Sequence, residues 1–217
     1  MSNVTPLSAA IRARSRDAHS SSEGADFMSS LLKGERTRDD YISLVAQHYF
    51  IYRALEGAAG RMRRDPVASR FISDKLTRLP ALEADLAFLI GDDWRDRIAP
   101  LPATARYVAR IEQVGATWAG GFVAHHYTRY LGDLSGGIHI GKVIRRQFGF
   151  ETNGIGFYLF GDIADPAAFK DVYRDELDAA PWDDAEKERV IDEVLLAYRF
   201  NTEVFEELAA ELDARTA

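Results

Sequence analysis

The sequence contains no cysteine. Disulfides, thiolate-bound metals, iron–sulfur clusters and cofactor attachment through a thioether are therefore excluded, and any redox centre has to be held by other ligands. No apolar run approaches the roughly 18 residues of a membrane span, and the amino terminus lacks a basic region followed by an apolar core. A soluble cytoplasmic protein without membrane association is expected. An excess of basic charge is also missing: 27 Lys and Arg stand against 34 Asp and Glu, a net charge of -7. A nucleic-acid partner held by phosphate contacts would want the opposite balance. Sustained strand alternation, internal repeats and low-complexity tracts are absent too.

What remains is a chain of 217 residues, 47% of them hydrophobic, enough for one substantial core. A single domain over 1–217 is expected, with an all-α fold. Thr5 and Pro6 read as N-cap and first residue of a helix running through Arg12 and His19 to Glu23. Thr37 with Asp40 forms a capping box before a long amphipathic stretch through Tyr41, Leu44, His48, Tyr52 and Leu55. A second box, Asp183 with Glu186, precedes a helical period carried by Val190, Val194, Asn201, Leu208 and Leu212. The segments from Gly91 to Leu101 and Phe150 to Pro166 read as loops or short helices.

The segment from Ala124 to Gly141 places Gly132, Gly136, Gly137 and Gly141 inside an otherwise helical pattern. Each interior glycine costs roughly 1 kcal/mol against alanine, so some other interaction must offset the loss. At about 100° per residue, Arg129, Gly132, Asp133, Gly136 and Gly137 share one face, while Leu131, Leu134 and Ile138 point the other way. Such a face admits close helix packing through the pairs Gly132–Gly136 and Gly137–Gly141, or the close approach of a flat ligand to the backbone. Asp133 favours the second, because an unpaired carboxylate suits a dry helix contact poorly and suits ordered water beside a ligand well.

Tyr127-Thr-Arg-Tyr-Leu-Gly-Asp-Leu-Ser-Gly-Gly137 resembles the distal-helix signature of the haem (heme) oxygenase family. Ala18-His19 with Glu23, Phe27 to Gly34, Tyr52-Arg-Ala-Leu-Glu56, Gly156-Phe-Tyr158, Phe169 to Arg174 and Phe200-Asn201 resemble its other motifs in the same order. The resemblance covers nearly the whole chain and is closest to soluble bacterial, biliverdin-producing members. It implies a helical fold in which haem b, both substrate and cofactor, lies between a proximal helix and a kinked distal one, with O2 as co-substrate. The implied activity is oxidative cleavage of haem to biliverdin, CO and Fe2+, serving haem degradation and iron acquisition.

His19 is the implied proximal ligand of the iron. Arg12 and Glu23 share its helix face, Arg12 within reach of a haem carboxylate and Glu23 placed to orient the imidazole. His125, His126 and His139 are rival ligands, but they lie on or beside the helix of the glycine face, where ligation would prevent the ring from lying flat; His48 has no partner pattern. Lys170, Tyr173 and Arg174 fall within one turn. By similarity Lys170, Arg174, Tyr127 and Arg12 hold the propionates, with Tyr173 and Gly137 also at the ring. The backbone at Gly132 and Gly136 then approaches bound dioxygen, and Asp133 fixes a water cluster with Tyr52, Arg129 and Asn201 that delivers protons. Gly136 and Gly137 are expected to let the helix bend.

Electrons would come from an external donor of the ferredoxin or flavoprotein reductase type, drawn by basic runs at Arg12, Arg14 and Arg16, at Arg61, Arg63 and Arg64, and at Lys142, Arg145 and Arg146. A monomer is expected. The main alternative is a non-catalytic haem-binding or storage protein, which would share His19 and the propionate clamp but not need Asp133. A di-iron bundle should carry Glu-x-x-His pairs, and this chain has none.

Overall fold

The computed structural model describes residues 5–23 and 25–216, with the side chains of 23, 212, 213, 215 and 216 left aside. Eleven α-helices are found among the described residues. The core is built by α4 (Arg38–Met62), α7 (Pro102–Thr117), α8 (Ala119–Gly132) and α11 (Asp184–Thr216), with α4 against α7 and α11 against α8. The amino-terminal helices α1 (Leu7–Arg14), α2 (Arg16–Glu23) and α3 (Asp26–Lys33) lie across α11, and α5 (Leu79–Ile90) covers α4.

Local chemistry fixes most of the boundaries. Thr37 and Asp40 make the reciprocal capping box expected for α4, Thr37 Oγ1 accepting from the Asp40 amide and Asp40 Oδ2 accepting from the Thr37 amide at 2.8 Å. Gly34 stops α3 at a φ of 78°, where a Cβ would be strained. At α11 only half of the second box forms: the Glu186 amide donates to Asp183 Oδ1 at 2.8 Å. The segment from Gly91 to Leu101 holds the short α6 (Trp94–Arg97), and that from Phe150 to Pro166 a single 3₁₀ turn, Gly156–Tyr158. Leu212 lies outside the described side chains.

The first helix departs from expectation. Pro6 is the N-cap and no side chain caps the helix, so Thr5 does not take that role. Instead, the start of α1 is held from outside, where Asp178 of α10 (Pro166–Asp178) accepts from the Ser8 amide and the Ser8 hydroxyl, both at 2.7 Å. The helix is also interrupted: Ser15, buried, ends α1 at φ -89° and ψ 0°, and α2 starts again at Arg16. A polar serine at a buried position satisfies its backbone within such a turn more readily than an apolar residue would, and periodicity alone gives no sign of the break.

The glycine-rich helix is continuous but not uniform. Between α8 and α9 (Ile138–Phe148), residues Asp133–Gly137 form a π-helical turn, the Ile138 amide donating to the Asp133 carbonyl. A π turn widens the helix by one residue per turn and leaves carbonyls poorly matched. Here the Ser135 hydroxyl donates to the Leu131 carbonyl at 2.7 Å and takes up one of them. The expected bend at Gly136 and Gly137 is thus part of a π turn beginning at Asp133.

Close helix contact does occur, but through other glycines. A Cβ on Gly115 of α7 would stand 2.4 Å from the Ala58 Cβ of α4. Gly115→Val should therefore force α4 and α7 apart, costing about 1–3 kcal/mol and lowering the thermal midpoint by several degrees, since about 2–4 °C accompanies each kcal/mol at this size. An unchanged midpoint in a calorimetric scan would contradict the close approach.

Candidate functional site

Between α2 and the π turn the helices leave two adjoining cavities that share His19, Gly132 and Tyr198. One, of about 340 Å³, runs inward past Met28, Phe157 and Phe205 and is mostly apolar. The other, of about 510 Å³, opens outward among Arg12, Arg16, Tyr127, Lys170 and Arg174. Together they form a cleft with an oily inner end and a cationic mouth.

His19, half-buried, faces both cavities from α2, its ring 5.7 Å edge-on from that of Tyr198. The bare backbone at the end of α8 borders the same two cavities: an added Cβ on Gly132 would meet nothing within 4 Å. Gly136 and Gly137 line the same wall. Gly141 does not serve this purpose, because a Cβ there would lie 2.6 Å from the Tyr158 Cβ. The glycine face therefore divides: Gly132 borders open space, and Gly141 makes room for a packed side chain.

Asp133 is held by a buried chain of polar groups. The Tyr52 hydroxyl donates to Asp133 Oδ2. Arg129 donates through Nε to the Tyr52 oxygen at 3.3 Å and through Nη1 to Asn201 Oδ1 at 2.9 Å, its guanidinium 4.9 Å from the Tyr52 ring centre. Burial raises the Asp133 carboxyl above its ordinary value, against the opposing pull of the Arg129 charge and the Tyr52 bond. Its proton is thus held more firmly than on a surface aspartate. Behind Tyr52, the Tyr130 hydroxyl donates to Glu56 Oε1 at 3.3 Å, and that same oxygen accepts from the Arg78 amide at 2.6 Å. This second polar group, tied to the loop before α5, meets the first through an edge-on contact between the Tyr130 and Tyr52 rings, 5.6 Å between centres.

At the mouth, Lys170 Nζ donates to Ser135 Oγ at 2.9 Å, and Arg174 pairs with Asp171 at 2.7 Å. Burial and then the neighbouring Arg174 charge lower the Lys170 ammonium below its ordinary value, with Asp171 opposing. An anion at this mouth would relieve that repulsion. Arg12 and Tyr127, also expected here, line the same cavity.

Tyr173 is not brought to the cleft. It is buried, its hydroxyl 2.9 Å from His126 Nδ1, and holds α10 against α8. The Glu23 side chain lies outside the described residues. Of the rival ligands, burial lowers His126 to about 3. Burial also lowers His125, which bonds Glu193 at 2.8 Å. Burial works against the Glu193 carboxylate, but Arg110 and His125 prevail and hold it down at about 2. Both histidines are packing groups. His139 sits exposed at the cavity rim. His48 lines the inner cavity, which nothing in its spacing signalled, as do Met28, Phe157 and Tyr158. Among the described residues no three His, Asp or Glu side chains converge as a metal site, so a di-iron centre finds no ligand set. The basic runs are partly neutralised: Arg14 pairs with Glu188 and Asp192, and Arg63 with Asp74.

A family model described as heme oxygenase matches residues 5–207. Heme oxygenase 1 of Synechocystis sp. is 37% identical over 206 residues, 95% of this chain and 86% of that protein. Heme oxygenase 1 of Homo sapiens is 40% identical over 205 residues, 93% of this chain and 71% of that protein. The crystal structure of the Synechocystis heme oxygenase-1 in complex with heme superposes with a TM-score of 0.92 at 36% identity, covering 98% of this chain and 96% of that one. Heme oxygenase from Leptospira interrogans gives 0.88 at 33% identity, covering 94% of this chain and 100% of that one.

Because the Arg129 charge opposes the effect of burial on Asp133, Arg129→Gln should move the Asp133 protonation midpoint upward, by about one pH unit or more. Infrared titration of the carboxyl band reads this directly. A midpoint that stays or falls would contradict the assigned coupling.

Proposed function

This chain belongs to the haem (heme) oxygenase family, whose reaction opens the haem ring oxidatively to biliverdin, carbon monoxide and ferrous iron, and we propose that the cleft between His19 and Gly132 is where it does so. The residues suit a flat amphipathic substrate: an apolar inner wall for the ring, a bare backbone where Gly132 borders open space, and cations at the mouth for two carboxylates. When bound, haem supplies the iron that activates dioxygen and the ring carbon that is attacked.

In this reading His19, which faces both cavities from α2, would be the proximal ligand. Arg12, Lys170 and Arg174, with the Tyr127 hydroxyl, hold the propionates and set the rotation of the ring in its plane. Gly132 and Gly136 let main chain stand where any side chain would crowd the reacting atoms. Asp133 would act on water and not on the iron. Its Oδ2 is occupied by Tyr52, so Oδ1 is the atom that holds water against the pocket. The raised proton affinity of this carboxyl lets it return a proton to that water, while Arg129 and Asn201 keep the chain of donors aligned.

The observation that carries the proposal is this acid, buried on the glycine face across the cleft from an imidazole. A storage protein would need the imidazole and the cations, but not a buried acid with three supporting polar groups. Electrons are taken to come from a separate donor of the ferredoxin or flavoprotein type approaching the cationic mouth.

The protein should bind hemin one to one and, given ascorbate or a competent reductase in air with catalase present, lose its Soret band with release of biliverdin and carbon monoxide. His19→Ala should abolish the iron–histidine band in resonance Raman spectra of the ferrous complex. Persistence of ferrous or oxygenated haem without ring opening, or an unchanged iron–histidine band in the variant, would overturn the assignment.

A further inference from the structure

Two buried polar atoms of the inner cavity have no task in the scheme above. His48, midway along α4, is 7% exposed, and Tyr158, at the end of the 3₁₀ turn, is 4% exposed. Both line the cavity, yet neither His48 Nδ1 nor the Tyr158 hydroxyl has a hydrogen-bond partner. Leucine and phenylalanine would fill these positions without an unpaired polar atom. Burial, and then the nearby Arg129 charge, hold the His48 imidazole neutral, so one ring nitrogen donates and the other accepts.

Neither side chain is loosely placed. The His48 ring lies 4.9 Å from that of Phe157 and 6.3 Å from that of Tyr52, so it stands against the residue that holds Asp133. Tyr158 is seated by Gly141, whose missing side chain leaves exactly the space its Cβ uses, 2.6 Å from where another would be. Tyr158 and Asp133 both flank Gly137: the point where a Cβ on it would fall is 3.7 Å from Tyr158 Cδ1 and 3.8 Å from Asp133 Oδ1. The Asp133 charge is among the influences that raise the Tyr158 phenol, after burial, so this hydroxyl stays protonated and able to donate. Buried and without a partner in the protein, the two atoms call for a small polar ligand drawn from the cavity that both residues line.

We propose that His48 and Tyr158 form a second hydrogen-bonding pole of the pocket, which holds an internal water between them and extends the Asp133 water chain into the apolar cavity. His48 Nδ1 and the Tyr158 oxygen supply two of the partners such a water needs, and Asp133, which lines the same cavity, supplies a third. Both are positioning residues: they fix where the water stands, and Asp133 remains the acid. The role in proton delivery rests on the oxygenase reading; the water site itself does not.

The test is a double-substitution cycle with His48→Leu and Tyr158→Phe, read in two ways. In thermal unfolding of the protein without haem, a shared water makes the second substitution change the midpoint by less than about half of what it does alone. In the ferrous carbonyl haem complex, each single substitution should move the carbon monoxide stretching band, the double no further than either single, and His48→Asn, which keeps an amide at the Nδ1 position, should restore it. A high-resolution crystal structure should show density at hydrogen-bond distance from both atoms. Additive unfolding shifts, a band that does not move, or no density there would overturn the proposal. Failure of haem to bind through His19 would sink the oxygenase reading instead, and the unfolding cycle would still decide the water site.

Discussion

Arg129 and Asp133 are both buried, at 6% and 8% exposure, in the middle of a helical core. Either alone would cost several kcal/mol. They are tolerated because the Tyr52 oxygen accepts from Arg129 while its hydroxyl donates to Asp133, and Asn201 takes the other end of the guanidinium. Four residues from α4, α8, the π turn and α11 are thereby fixed in one arrangement, since moving any of these elements would leave an unpaired charge in the core. The site is thus tied to the packing of α4, α8 and α11.

The π turn makes that arrangement compatible with an open cleft. Widening the helix between Asp133 and Gly137 lets the carboxyl turn inward to Tyr52 while Gly132 keeps its backbone toward His19. Ser135 takes up a carbonyl on one side while receiving Lys170 on the other. Through Ser135 the cationic mouth is linked to the distal wall.

Much of this was legible in the residues. The capping box at Thr37 and Asp40, the helical periods of α4 and α11 and the glycine face are local patterns, and local patterns survive folding. Arg129, Gly132, Asp133 and Asn201, with His19, do line one cavity, and Arg12, Tyr127, Lys170 and Arg174 line its neighbour. What escaped was set by distant partners. Ser15 breaks the first helix without any glycine or proline, Tyr173 turns inward because His126 waits for it, and the role of Gly141 depends on Tyr158, which lies 17 residues further along the chain. His48 sits in an ordinary amphipathic period, where an imidazole that faces a cavity looks no different from one that packs.

The account depends most on Asp133 acting through water and not through the iron, and Asp133→Asn measures this directly. The variant should bind hemin with unchanged stoichiometry and retain the His19 signature in resonance Raman spectra, while its biliverdin yield falls by about tenfold or more, in line with the loss of a positioned acid. Full biliverdin yield from this variant would contradict the account, as would loss of haem binding while the fold is retained.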